Sequence, residues 1–290
     1  MAGSAYDDRD GVIWLDGDLV PWRGANTHVL SHGLHYASSV FEGERAYSGR
    51  IFRSRDHSER LLKSGRDIDL PIPYSVDEIE AAKYLVMKEN GLSDAYVRVV
   101  CWRGSGEDMG VTSARNPVRM AVAAWTWGAY YGDAKSVGAR LDISTWRRPS
   151  PETIPCFAKA SGLYMICTLS KHAAEAKGCS DAMMLDHRGY VAEATGANIF
   201  FVRDGIVHTP LPDCFLDGLT RQTVIGLLKA RQVQVQERHI ELAELEEFQQ
   251  CWLTGTAAEV TPVGQIGDYR FEVGELTRTI VDDYERAVRA

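Results

Sequence analysis

Lys159 stands in Cys156-Phe157-Ala158-Lys159-Ala160-Ser161-Gly162, among small and apolar residues that give a solvated lysine no evident purpose. Burial favours the neutral amine over the ammonium, and the neutral amine is the form that attacks an aldehyde carbon. A lysine snorkelling from a loop is the ordinary alternative, so one lysine decides nothing alone. Glu193 lies in Tyr190-Val191-Ala192-Glu193-Ala194-Thr195-Gly196, whose low polarity points the carboxylate inward. A buried carboxylate needs a cationic partner, and a protonated pyridine nitrogen would be one that leaves its ring an electron sink. An edge-strand glutamate facing water is the commoner case.

Gly218-Leu219-Thr220-Arg221 opens a helical pattern with glycine ahead of a hydroxyl residue. Backbone N–H groups at the positive end of a helix dipole suit an anion, although capping threonines are common without one. Thr254-Gly255-Thr256-Ala257-Ala258-Glu259 is a second hydroxyl-rich turn, able to offer donors to a phosphate or carboxylate. Arg60, in His57-Ser58-Glu59-Arg60-Leu61, could add the balancing charge. His28, His32 and His35 are spaced by four and three, but Ser31 and Gly33 break a clean helix and no carboxylate or thiolate stands close in sequence. Hydrogen-bonded histidines without a metal are therefore expected. The stretch from Gly104 to Gly110 matches neither the dinucleotide fingerprint nor the Walker loop and reads as a flexible loop.

The elements that must position these residues follow from turn and cap signals. Asp16-Gly17, between two strand-like runs, predicts an opening hairpin. A helix is expected from Ser54 to about Lys63, ended by Gly65. Ser75-Val76-Asp77-Glu78 is a capping box before Ile79, Ala82, Leu85 and Val86 at helical spacing, closed by Gly91. Strands over Ala95 to Arg103 and Pro117 to Trp127 complete a first domain, 1–127, followed by a connector, 128–136, and a second domain, 137–290. In that second part a strand at Val137 to Trp146, a helix at Tyr164 to Lys177 and successive strands from Ala182 to Val207 are expected. Helices at Thr220 to Arg231 and Glu275 to Val288 bracket strands at Val233 to Gln236 and Cys251 to Leu253, so the class is mixed α and β.

The bulk numbers bound the partners. At 290 residues, with 45% hydrophobic and 25% charged, the chain has ordinary globular composition and length for two domains. A net charge of -8 with scattered basic residues argues against nucleic acid. The start MAGSAYDDRDG lacks a secretory pattern, and no apolar run is long enough to span a bilayer. Six cysteines without a CxxC pair fit reduced thiols, so a cytoplasmic protein is expected.

One order of motifs gathers these residues. Ser31-His32-Gly33-Leu34-His35-Tyr36 leads to Val40-Phe41-Glu42-Gly43, His57 to Leu61, Tyr96-Val97-Arg98, Trp127-Gly128-Ala129-Tyr130, Lys159, Glu193 to Asn198, Gly218 to Arg221 and Gly255 to Glu259. Over nearly the whole chain this resembles the branched-chain amino acid aminotransferases, of the class IV fold of pyridoxal-phosphate enzymes. The resemblance implies a two-domain α+β fold of the D-amino acid aminotransferase type, with the cofactor pyridoxal 5'-phosphate between a small N-terminal domain and a larger barrel-like C-terminal domain. Lys159 would be the Schiff-base lysine and proton carrier, Glu193 the partner of the pyridine nitrogen and Tyr164 that of the phenolic oxygen. Arg60, Thr220 and Thr256, with the backbone N–H of Leu219, would hold the phosphate, and the Thr256-Ala257 turn the substrate carboxylate. Tyr36, Phe41, Trp127 and Tyr130 resemble the side-chain pocket wall, Tyr96 and Arg98 the site for glutamate's second carboxylate, and Val111 the loop that reaches a partner subunit's pocket. The implied reaction is ping-pong transamination of leucine, isoleucine or valine with 2-oxoglutarate, by a homodimer or an oligomer built from dimers, without a metal. Val99 stands where the family often has proline and Ala197 where glutamate is frequent, which weakens strict branched-chain specificity. A D-amino acid aminotransferase, an (R)-selective amine transaminase and, further off, aminodeoxychorismate lyase remain alternatives, with Arg98 favouring the branched-chain group.

Overall fold

The computed structural model of the chain describes residues 5–127 and 137–290; Tyr130 and the connector 128–136 lie outside them. Two compact units are present: Met1–Gly128 with Ala158–Gly162, and Ala129–Phe157 with Leu163–Ala290.

In the first unit, strands β1 (Val12–Leu15), β2 (Asp18–Pro21), β3 (Ser39–Tyr47), β4 (Arg50–Ile51), β5 (Ala95–Arg103) and β6 (Val118–Trp125) form one antiparallel sheet in the order β2-β1-β6-β5-β3-β4. The short helix α1 (His32–Tyr36) precedes β3, and α2 (Ser54–Asp67) and α3 (Val76–Glu89) follow β4. The alternation of strand side chains separates the sheet's faces: Val97, Val99, Cys101, Met120 and Val122 are fully buried, whereas Arg98, Val100 and Trp102 are half-buried on the other side. The Ser75–Glu78 capping box forms, with Ser75 Oγ accepting from Glu78 N and Glu78 Oε2 from Ser75 N.

One strand of this unit is unexpected, and one helix boundary changes. Strand β3 is not legible locally, because Glu42, Gly43 and Glu44 are poor strand formers; both glutamates are nevertheless fully buried, each beside a cation. Helix α2 runs past Gly65 to Asp67, and the glycine serves close packing instead of termination: a Cβ there would stand 2.8 Å from the Leu70 carbonyl oxygen.

The second unit holds β7 (Ala139–Ile143), β8 (Asp181–Leu185), β9 (Val191–Ala194), β10 (Asn198–Arg203), β11 (Ile206–Pro210), β12 (Val235–Arg238), β13 (Gln250–Gly255), β14 (Glu259–Ile266) and β15 (Tyr269–Arg270). The sheet runs β12-β11-β10-β13-β14-β7-β8-β9, and the pairing of Asn198 with Glu193 joins β10 back to β9. Six strands, β10-β13-β14-β7-β8-β9, therefore close into a barrel around a core that includes Leu141, Met183, Ile199, Phe201, Leu253 and Val263. Helices α4 (Met165–Ala176), α5 (Leu219–Ala230) and α6 (Glu275–Ala287) complete the unit. Among the described residues no helix is long and apolar enough to cross a membrane.

Candidate active site

Lys159 belongs to the first unit, not to the second domain where the sequence places it, because long-range hydrogen bonds tie its backbone there. Its carbonyl accepts from Phe41 N at 3.1 Å, its N–H donates to Ser64 Oγ at 3.0 Å, and Ala160 bridges Val40. The half-buried side chain lays Nζ 4.9 Å from the Phe41 ring centre. The guanidinium of Arg98 lies 4.8 Å from the same ring. Arg98 and Tyr96, two apart on β5, face the same side, and Arg98 Nη2 donates to the Tyr96 hydroxyl at 3.0 Å. Gly43 makes room for that hydroxyl, since a Cβ would stand 1.9 Å from it. Trp127 stacks on Tyr96 with ring centres 4.7 Å apart. Buried Nε of Arg98 has no hydrogen-bond partner among the described residues, a donor still to be satisfied. Arg98 also lines an apolar hollow with Leu34, Val100, Trp102, Ala121 and Ala123.

Arg60, on α2, is gripped from behind by a residue the sequence did not single out. Glu42 Oε1 accepts from Arg60 Nε at 2.7 Å and Oε2 from Nη2 at 2.8 Å, a two-pronged pair, while the His57 imidazole donates from Nδ1 to Oε2 at 2.7 Å. Burial pushes the Glu42 carboxyl upward, but the charge of Arg60 and the hydrogen bonds from Arg60 and His57 outweigh it and hold it well below the ordinary carboxylate range. For His57 burial dominates and lowers its pKa, so the imidazole is neutral.

Tyr36 groups with Val111. Its ring lies 4.6 Å from that of His32, whose Nε2 donates to the Val111 carbonyl at 3.1 Å, and its hydroxyl donates to the Met109 carbonyl at 3.3 Å. Both residues are exposed, Val111 at 75%. The loop around them is more tightly held than its glycines suggest: Asn116 Nδ2 bonds the Gly104 and Asp108 carbonyls and Ser113 Oγ bonds that of Gly110. His28, His32 and His35 are each hydrogen-bonded within the protein, and α1 forms in spite of Gly33.

In the second unit Glu193 projects from β9 and is 8% exposed. Arg148, 5% exposed, sets Nε 3.3 Å from Oε1, and Asn198 Nδ2 donates to Oε2 at 3.1 Å. Burial works against the Arg148 charge, yet Glu193 outweighs it and keeps its pKa above the ordinary value. Arg148 was invisible in the sequence; its only signal is a pair of arginines before Pro149. Tyr164 occupies the N-cap position of α4. Gly218, the N-cap of the twelve-residue helix α5, has no side chain to cover that terminus, and Thr220 in the first turn is buried. Thr256 and Ala257 form the turn between β13 and β14, drawn toward the β9–β10 turn: a Cβ on Gly255 would lie 3.5 Å from that of Ala197. Asp186, His187 and Cys214 lie at metal-like spacing, but Asp186 is already engaged by Arg188 at 2.6 Å, and burial pushes the Cys214 thiol up to about 12.

The model of the class IV amino-transferases matches residues 39–266. The chain belongs to this family. It is a pyridoxal-phosphate-dependent aminotransferase. The chain is 40% identical to a probable branched-chain-amino-acid aminotransferase of Rickettsia conorii over 281 residues, 96% of each protein. It resembles the branched-chain aminotransferase of Thermoproteus uzoniensis solved with norvaline, at 35% identity and a TM-score of 0.92 over 97% of this chain and 95% of that one. It likewise resembles the T.th. branched-chain enzyme solved with N-(5'-phosphopyridoxyl)-L-glutamate, at 37% identity and a TM-score of 0.91, with the same shares covered. The residues present fit the cofactor: in the first unit an amine beside the Phe41 ring, and in the second a buried carboxylate already among donors and a helix N-terminus whose cap carries no side chain.

Proposed function

We propose that the enzyme transaminates branched-chain L-amino acids with 2-oxoglutarate, giving branched-chain 2-oxo acids and L-glutamate. The carrying observation is Arg98: a cation held by Tyr96 against Phe41, with a buried Nε that has no partner among the described residues, beside a hollow lined mostly by apolar side chains. One site must take an aliphatic side chain and a carboxylate in turn, and an unpaired carboxylate is costly to bury. That relatives were solved with norvaline and with a phosphopyridoxyl derivative of glutamate supports both halves.

Bound pyridoxal phosphate supplies an aldehyde for the substrate amine and a ring that takes up electrons from the α-carbon. Lys159 Nζ is the base that lifts the α-proton, and the Glu193 carboxylate holds a proton on the ring nitrogen. Tyr164 donates to the phenolic oxygen. Arg60 in the first unit, and Thr220, Thr256 and the Leu219 N–H in the second, are the phosphate's partners; the Thr256-Ala257 turn receives the substrate carboxylate. Phe41 and Trp127 line the side-chain pocket, with Tyr130 assigned there on the resemblance alone. Val111, exposed and grouped with Tyr36, serves a second copy in a homodimer. A cytoplasmic location belongs to the same reading, supported by six free cysteines, five of them buried.

Arg98→Ala tests the proposal. The half-reaction with glutamate or 2-oxoglutarate should slow roughly tenfold to a hundredfold, the scale of a lost charge-assisted hydrogen bond, and leucine should suffer much less. Single-turnover rates read this directly. Equal losses would make Arg98 structural, and a parent enzyme preferring D-alanine or an (R)-amine would overturn the branched-chain assignment.

A further inference from the structure

The side chain of Asn198 makes three hydrogen bonds that reach two separate parts of the second unit. Nδ2 donates to Glu193 Oε2 at 3.1 Å and to the Leu216 carbonyl at 2.9 Å, and Oδ1 accepts from the Gly218 N–H at 3.1 Å. The partners fix which way the amide faces, because a flip would set donor against donor at Gly218 and acceptor against acceptor at the other two. Asn198 is 5% exposed and is paired across the barrel's closing seam with Glu193 itself. Gly218 is packed against it so closely that a Cβ would stand 2.2 Å from Oδ1. The start of α5 is held from its other side by Arg221, 1% exposed, which bonds Asp217 at 2.9 Å and Glu237 at 2.7 Å.

We propose that Asn198 is a positioning residue that ties the carboxylate facing the cofactor's ring nitrogen to the helix terminus facing its phosphate, so that both ends of the cofactor meet one prearranged frame. The inference rests on the roles proposed for Glu193, Leu219 and Thr220. Donors and acceptors held in place before a ligand arrives spare it the cost of ordering them, and a bracket shared by two subsites spares that cost at both.

The test uses the full chain freed of cofactor and three probes: pyridoxal 5'-phosphate, pyridoxal without phosphate, and inorganic phosphate as competitor. Their dissociation constants are read from tryptophan fluorescence. Glu193→Gln should weaken pyridoxal and leave phosphate unchanged; Thr220→Ala should do the reverse. Asn198→Ala should weaken both, each roughly tenfold, the scale of one or two lost hydrogen bonds. Asn198→Asp keeps an acceptor for Gly218 N but turns a carboxylate oxygen toward Glu193 and the Leu216 carbonyl. It should therefore weaken pyridoxal several-fold more than phosphate, a split that a general loss of packing would not produce; it also stands in should the alanine variant not fold. Losses confined to one probe in Asn198→Ala, or equal losses of both in Asn198→Asp, would overturn the proposal. Failure of Glu193→Gln and Thr220→Ala to separate the probes would instead refute the cofactor roles, and the bracket with them.

Discussion

Arg148→Met removes the cation that stands behind Glu193 while keeping an unbranched side chain of similar reach. Arg148 is 5% exposed and Glu193 8%, and their charged atoms approach to 3.3 Å. Deleting one partner of a buried ion pair costs about 3–5 kcal/mol, because the other charge stays buried without compensation. Asn198 Nδ2 still donates to Glu193 Oε2, and the carboxylate is not wholly sealed, so the cost falls to the foot of that range or just below it, about 2–3 kcal/mol. For a chain of this length that corresponds to a fall of roughly 3–5 °C in the Tm of the cofactor-free protein. On the proposed role of Glu193, the cofactor's protonated ring nitrogen would give it a replacement cation, so the loaded enzyme should lose less and the gap between loaded and cofactor-free Tm should widen. Differential scanning calorimetry on both forms measures each quantity, and Arg148→Lys should recover part of the loss. A cofactor-free Tm within 2 °C of the parent, on the scale of a surface substitution, would refute the buried-pair argument. Equal falls in both forms would place the effect in the contact of Arg148 with Cys167 Sγ, at 3.4 Å, instead of in Glu193.

Lys159→Ala should abolish the visible absorption of bound cofactor and single-turnover transamination; retention of both would remove Lys159 as the nucleophile. Glu42→Gln leaves Arg60 charged but loosens its two-pronged hold, and should raise the dissociation constant for inorganic phosphate about tenfold, measured by competition with the cofactor; an unchanged constant would show that Arg60 needs no anchor. The folded-state pKa of His57 is lowered from 6.5, so the unfolded chain takes up that proton first: His57's contribution to stability is complete above pH 6.5 and declines as the pH falls below it. Urea midpoints for His57→Gln should then fall less steeply than the parent's from pH 6.5 down to about 5, and parallel slopes would disprove the linkage.

The family and its mixed α and β class were legible in the chain because the motifs that carry them are local and ordered, from Ser31-His32-Gly33 to Gly255-Thr256-Ala257. Capping boxes and turn glycines are local too, which is why α3 and the opening hairpin emerge where the spacing puts them. Other features depend on partners far away in sequence, and no periodicity encodes those. Strand β3 carries two glutamates that argue against a strand until His57, Arg60 and Lys83 are brought beside them. The assignment of Lys159 to the first unit rests on Ser64 and Phe41, and Ser64 alone is 95 residues distant. Arg148 is one of two adjacent arginines in a coil, and only the closure of β8 and β9 above it selects that residue to face Glu193. Residue types and their order determined which groups could do chemistry. The fold decided which charges stand behind them, because a buried charge is stable only where long-range packing delivers its counter-charge and donors.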